Sequence, residues 1–292
     1  MLSALTTSQK GILSAFCGFT GFAVADACSK WLGATYDTLF ILFWVYLISL
    51  ILGLCFARFL GGIKRTLNTK KLHFHIGRGI SALAVGLFVV TALSNGLQLA
   101  TLYTILFLAP FITTLAAIPI YKEKVPAENW GIIALGFSGI IVAFHDGLNA
   151  ITPEVMYAFC ALFFIVCLGL MARPIDQNES LLSLSFYPSL IIVLCLAFHV
   201  IPDIHLPAAA HMPIFILDGI GVLVGLSGIA YGFRIAPYSV VAPVHYSQMV
   251  IALMLGYFVF KDIPDFYMMI GAGIIIMSGL LLIAKKGRRK KA

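Results

Sequence analysis

The chain carries too little charge to coat a water-soluble globule. Charged residues make up 11% of its 292 positions, and only 12 positions are acidic. A soluble domain usually carries about 25%, so a cytosolic enzyme, a nucleic-acid binder and a disordered chain are excluded. Segments of about ten residues alternating apolar and polar, the mark of a membrane β-barrel, are also missing. There is no Walker A loop to hold ATP, no HExxH or GxSxG motif, and no Cys/His cluster with zinc spacing. No cofactor, no metal and no catalytic residue is therefore expected. The six cysteines (Cys17, Cys28, Cys55, Cys160, Cys167 and Cys195) fall inside apolar runs, and none forms a CxxC pair. They read as small packing residues rather than disulfides or zinc ligands.

Apolar residues fill the chain instead, at 61% of positions and a mean hydropathy of +1.03. Ten continuous runs can be marked: 11–33, 38–60, 77–98, 101–121, 127–144, 154–172, 181–201, 213–234, 238–260 and 264–284. A membrane-spanning helix needs about 20 mostly apolar residues. The expected fold is thus all-α integral membrane, with ten transmembrane helices and almost nothing outside the lipid bilayer. The short run at 127–144 is expected to tilt or to re-enter partway. The net charge of +7 sits in short loops and in the tail KKGRRKK at 285–291. Such tails anchor to an anionic leaflet, so nucleic acid is not expected as a partner.

Orientation follows from the basic residues, which favour cytoplasmic loops. With the N-terminus inside, the inner loops and termini hold 17 of the 19 Lys and Arg residues. The outer loops hold Lys261, and Lys30 lies within the first span. Both termini are expected to be cytoplasmic, in a bacterial inner membrane. Lys10, an apolar stretch and Ala23-Val24-Ala25 imitate a signal peptide with its cleavage site. Cleavage there would leave nine spans and spoil the charge pattern, so the segment reads as the first span.

The chain repeats itself internally. PIYKEKVPAENWGIIALGFSGIIV at 119–142 parallels VFKDIPDFYMMIGAGIIIMSGLLL at 259–282. Both pass from a Lys-acid pair (Lys122-Glu123, Lys261-Asp262) through a proline (Pro126, Pro264) to spaced glycines. Gly131 and Gly139 match Gly271 and Gly279 at a common offset of 140. Each half, 1–148 and 149–292, would hold five spans. An odd number forces the halves into opposite orientations, giving two inverted five-helix repeats, a plan common among secondary transporters.

At these residues the chain resembles the drug/metabolite transporter superfamily, in its EamA-type ten-helix branch. The resemblance is carried by APYSVVAPVHYSQMVIALMLGYFVFKDIPDFYMMIGAGIIIMSGLLLI (236–283), by ALSNGLQLATLYTILFLAP (92–110) and by Lys122-Glu123. It covers nearly the whole chain. Within that family the chain is most similar to the S-adenosylmethionine uptake carriers, on DACSKWLG (26–33), HIGRG (75–79) and TPEVMY (152–157). It departs from the family in span 2, where Val45 stands at the position of a frequent arginine, so that charge's role does not transfer. The resemblance implies a central cavity lined mainly by spans 1, 3, 4, 6, 8 and 9.

Ionisable groups within a span are costly and so are functional candidates. Asp26 and Lys30 are four apart on one helix face, acid before base. The two readings are a self-neutralising pair that eases insertion and a gate or substrate contact. Asp218 lies on a seam of small residues with Gly221, Gly225, Gly228 and Gly232, and Lys30 at similar depth is its candidate partner. His245, Tyr246 and Gln248 follow Pro243 in span 9; the histidine is either a proton carrier or a cavity liner, and Tyr246 could stack on a flat or cationic ligand. Asn95, Gln98 and Tyr103 supply neutral polar groups at the corner of spans 3 and 4. Asn95 and Gln98 are read as sharing a face, with Gln98 alternatively a helix cap. Trp44 and Tyr46 read as interface or packing aromatics, and Glu123 and Asp262 as charge partners of their neighbouring lysines. His73 and His75 lack an acidic neighbour in sequence. Pro110, Pro119 and Pro243 are expected to bend or break helices.

Counting Asp26, Lys30 and Asp218, the formal charge inside the membrane is −1. That favours a cationic or zwitterionic organic solute, because anion sites use Arg or Lys. The expected function is a secondary carrier of a small-molecule substrate by alternating access, with S-adenosylmethionine fitting loosely and a proton or counter-transported solute as candidate coupling partner. The alternatives are an exporter of amino acids or hydrophobic drugs, a membrane-embedded enzyme, and a non-transporting receptor.

Overall fold

Thr6 starts the first helix by reciprocal capping: its hydroxyl accepts from Gln9 N at 3.3 Å, and its own N–H donates to the Gln9 side chain at 2.9 Å. Helix α1 (Thr7–Leu32) then runs unbroken through Ala23-Val24-Ala25, whose two alanines are buried. Asp37 caps α2 (Thr38–Ala57) by accepting from Leu39 and Phe40 N–H groups. Thr152 and Pro153 open a later helix in the same manner. The computed structural model describes residues 6–58, 62–122, 127–145, 151–171, 174–175, 179–203, 205–236, 241, 244–263 and 265–289. Among them there is no strand.

After α2 come a short α3 (Ile63–Leu67), α4 (Leu72–Ser94), α5 (Leu99–Leu106), α6 (Ala109–Tyr121), α7 (Ala127–Ala143), α8 (Pro153–Leu170), α9 (Ser183–Val200), α10 (Met212–Ile235), α11 (His245–Leu255) and α12 (Phe266–Arg289). A π-helical turn, Gly256–Phe260, continues α11. Among the described residues, seven helical stretches are long and apolar enough to cross a membrane: Gln9–Leu32, Thr38–Ala57, Leu72–Ser94, Leu99–Ile120, Pro153–Leu170, Ser183–Val200 and Met212–Ile235. Three shorter apolar ones are Trp130–Ala143, Val250–Phe260 and Phe266–Ser278. The fourth stretch is broken at Phe107–Leu108, just ahead of Pro110, while Pro119 is accommodated inside α6. Pro243 and Glu123 lie outside the described residues.

Two glycine seams bind the bundle. Along α1 and α10, a Cβ at Gly21 would fall 2.8 Å from Gly221 O, and one at Gly221 would fall 2.6 Å from Gly21 O. Gly18 meets Ile229, and Gly232 meets Gly11, so the helices are antiparallel. In lipid, where water does not drive helices together, such close backbone contact supplies the association through dispersion. Ser14 adds a hydroxyl bond to Gly228 O at 3.0 Å. The second seam joins α7 to α12, where a Cβ at Gly139 would sit 2.7 Å from Gly271 O. Gly136 faces Ser278, which makes this pair antiparallel too. Elsewhere α4 packs on α8 and α2 on α9. The short α5 and the break after it occupy the centre: Leu99, Leu102, Tyr103 and Ile105 of α5, Phe107 at the break and Phe111 of α6 are all fully buried.

The cysteines are all free, and three of them (Cys17, Cys55 and Cys195) sit on the exposed face rather than in the packing. Tyr46 packs in the core, as does Val45.

Candidate functional site

Helix periodicity places Asp26, Ser29 and Lys30 on one face of α1, and each reaches a different element. Asp26 accepts a hydrogen bond from Tyr103 Oη of α5. Gln248 Nε2 of α11 donates to the same Tyr103 oxygen at 3.1 Å. Ser29 donates to Asp218 Oδ2 of α10 at 2.7 Å. Lys30 Nζ lies 2.5 Å from Asp262 Oδ2 and 4.7 Å from the centre of the Phe260 ring.

These contacts correct three sequence expectations. Lys30 pairs with neither Asp26 nor Asp218, because its long stem carries the ammonium past them toward the α1 terminus. Asp262 accordingly partners Lys30 across the bundle rather than its neighbour Lys261. Asn95 and Gln98 do not share a helix face: Gly96, at φ +95, turns the chain between them. Asn95 ends α4 and is exposed, and Gln98 begins α5 without a capping side-chain bond.

The remaining candidates converge. Tyr103 and Gln248 are buried. His245, three residues before Gln248 on α11, stacks on Phe19 at 4.5 Å between centroids and meets Phe107 edge-on at 5.1 Å. Tyr246 lies in α11, but its side chain is outside the described set. Asp218 is 1% exposed, and its Oδ1 has no hydrogen-bond partner. Among the described residues no cation stands against either Asp26 or Asp218.

Where α1 ends, a cavity of about 390 Å³ opens beside Lys30, lined also by Trp31, Ala34, Thr35, Leu93, Ser94 and Phe260. Ser94 Oγ itself is buried against Gly33, with no hydrogen-bond partner among the described residues. At the opposite end of the bundle lies a cluster that the sequence reading missed. His75 Nε2 is 2.7 Å from Glu179 Oε2, Thr69 donates to Glu179 Oε1 at 2.7 Å, and Arg234 donates to the Glu179 carbonyl at 2.7 Å. The expectation that His75 lacks an acid fails because Glu179 is 104 residues away in sequence. The available signal was two acids, Asp176 and Glu179, in an inner loop with the single base Arg173, against the basic inner loop that holds His75.

The family profile described as the EamA-like transporter family matches residues 9–144 and again 152–284. The chain belongs to this family, and is a multi-pass integral membrane protein. It is 27% identical over 306 residues to an S-adenosylmethionine uptake transporter of Rickettsia bellii, covering 100% of both chains. It is 26% identical over 287 residues to the protein of that name in Rickettsia prowazekii, covering 97% of this chain and 95% of the other. A riboflavin transporter of Vibrio cholerae is 23% identical over 251 residues, covering 84% of each. Among solved structures, one matches with a TM-score of 0.65 at 14% identity, covering 91% of this chain and 96% of the other. That likeness concerns the fold alone.

Proposed function

We propose that this EamA-like chain is a secondary carrier that moves a cationic or zwitterionic organic metabolite by alternating access, with S-adenosylmethionine the leading candidate. The observation that carries the reading is the pair of carboxylates, Asp26 and Asp218, set within spans and facing no described cation. A carboxylate withdrawn from water is stabilised by a positive group. With Lys30 held by Asp262, a solute cation is the group the site lacks. The names of the Rickettsia relatives agree with such a solute.

The architecture is read as ten spans in two inverted repeats, 1–148 and 149–292. The double profile match supports this, as does the antiparallel packing of α7 on α12. Exchanging the halves also turns the α1–α10 pair into the α8–α4 pair, and both pairs occur. Both termini are assigned to the cytoplasm, which puts the end of α1 and its cavity on the outer face. Asp26, Tyr103, Asp218, His245 and Gln248 are assigned to the solute path, with Lys30 at its outer mouth. Tyr246 is kept on its sequence position alone. Asn95 and Gln98 sit at the outer turn beside the path.

The test is uptake of labelled S-adenosylmethionine into proteoliposomes without ATP, with amino acids, riboflavin and a quaternary ammonium dye as competitors. Saturable uptake blocked by the cations and zwitterions supports the reading. Uptake blocked by riboflavin alone would replace the substrate class, and the absence of flux for every compound would remove the carrier assignment.

A further inference from the structure

We infer that the Lys30–Asp262 ion pair and the cavity beside it form an outer-face subsite for the head group of an α-amino-acid-type zwitterion. The solute carboxylate would take the place of Asp262 on Lys30, and the solute ammonium would take the place of Lys30 on Asp262. The inference rests on the carrier reading and narrows its substrate class.

The argument starts from the position of the pair. It joins α1 to the segment after the π-helical turn, at the rim of the 390 Å³ cavity. The depression is open, with Trp31, Ala34 and Thr35 exposed, so it has room for a head group at the rim rather than an enclosed whole solute. The side chains are only 11% and 18% exposed, so water can replace a lost partner only in part. A solute with one charge would satisfy one member and strand the other, which is unfavourable in such surroundings. A zwitterion satisfies both at once, so the exchange leaves neither charge alone.

The walls suit the rest of such a solute. Phe260 holds the Lys30 ammonium over its ring at 4.7 Å, which keeps the cation in place when Asp262 is exchanged. Trp31 offers a second aromatic surface, and Ala34 and Leu93 are apolar. The exposed Thr35 hydroxyl can hydrogen-bond a neutral polar group. Asp262 also stands in an unusual backbone setting. It follows Lys261, which sits at a left-handed φ of 58, and its N–H is bonded to Gly256 O across the π-helical turn. A non-glycine residue in that conformation is strained, and π-helical turns recur at functional sites.

The experiment compares three probes by thermal shift and by proteoliposome uptake: S-adenosylmethionine, its decarboxylated analogue and methylthioadenosine, which lacks the head group. The wild type is expected to bind the zwitterion at least about tenfold more tightly than either analogue, a difference of about 1.4 kcal/mol. Lys30→Gln should abolish the preference over the decarboxylated cation, while Lys30→Arg should keep it. The double variant Lys30→Gln/Asp262→Asn, which strands no charge, should bind S-adenosylmethionine and its decarboxylated analogue alike. Equal handling of S-adenosylmethionine and its decarboxylated analogue by a wild type that transports them would overturn the zwitterion subsite and leave the carrier standing. No binding and no flux with any probe would overturn both.

Discussion

Lys30 and Asp262 meet at 2.5 Å although 232 residues separate them. Asp26, one turn away on the same helix, is left to Tyr103. The contact ties the end of α1 to the turn between α11 and α12, and among the described residues the buried carboxylates have no internal counter-ion. An i,i+4 pair on α1 would have neutralised Asp26 locally. The observed pairing leaves the negative charge deeper in the bundle, where a solute cation could use it.

This relationship predicts a specific pattern of rescue. Lys30→Gln and Asp262→Asn should each lower stability by about 1–2 kcal/mol, between the limits for exposed and buried pairs. The double variant Lys30→Gln/Asp262→Asn should recover most of that loss. Asp26→Asn/Lys30→Gln should not. Thermal unfolding of the four purified variants in detergent measures this, and recovery by the second double variant would restore the pairing on α1.

The glycine seam of α1 and α10 gives a second expectation. Gly21→Ala and Gly221→Ala each place a methyl within 3 Å of a facing backbone oxygen, which must force the helices apart. Overpacking of this kind costs about 1–3 kcal/mol. Gly273→Ala, with nothing within 4 Å of the added carbon, should be neutral. Expression yield and melting temperature of the three variants give the comparison, and equal behaviour would deny the seam its role.

How much of this was legible beforehand differs between fold and site. The all-helical membrane class was readable because lipid demands long apolar helices: seven of the expected runs are such helices among the described residues and three are shorter, and the Gly221–Gly232 spacing already showed a packing face. The break in span 4 was signalled by Pro110, though its position at Phe107–Leu108 was not. Side-chain partners were the illegible part. Asp218 was given to Lys30, and Asp262 to Lys261, because proximity in sequence or depth is all that a single chain offers. The actual partners, Ser29 for Asp218 and Lys30 for Asp262, depend on how distant helices rotate against each other. The turn at Gly96 likewise separated Asn95 from Gln98, which counting alone had put on one face.

Topology is the third prediction. Reporter fusions at Met1 and Ala292 should read as cytoplasmic, and a fusion in the 203–211 loop as external. The distribution of 17 basic residues against one drives that expectation. A C-terminus reporting from outside with Met1 inside would remove the ten-span reading, whereas both termini outside would keep it and place the Lys30 cavity on the inner face.

Asp218 supports the fourth. Its Oδ1 is buried without a partner, and only Ser29 satisfies the other oxygen. Asp218→Asn preserves shape and an acceptor for Ser29, so the melting temperature should hold or rise. Uptake of a cationic solute should fall by tenfold or more, about 1.4 kcal/mol of lost interaction. Wild-type uptake in this variant would take Asp218 off the solute path and leave it a packing residue of the seam.

The last prediction concerns Tyr103, whose hydroxyl is shared by Asp26 and Gln248. The residue is fully buried on α5, the short helix that ends in the break at Phe107–Leu108. Its ring packs in the core, so Tyr103→Phe keeps the apolar contacts and removes only the bridge. Two polar groups on different helices then lose their common partner. The loss should be about 1–3 kcal/mol of stability if neither group finds another, and less if they approach each other. For transport the consequence should be larger, because the bridge fixes Asp26 relative to the broken span. Tyr103→Phe and Gln248→Leu should both reduce uptake, and the double variant should be no worse than Tyr103→Phe alone. Such non-additivity is the mark of residues acting through one network. Measured uptake that falls by independent factors in the double variant would show that Tyr103 and Gln248 act separately, and Asp26 would then have to be positioned by α1 alone.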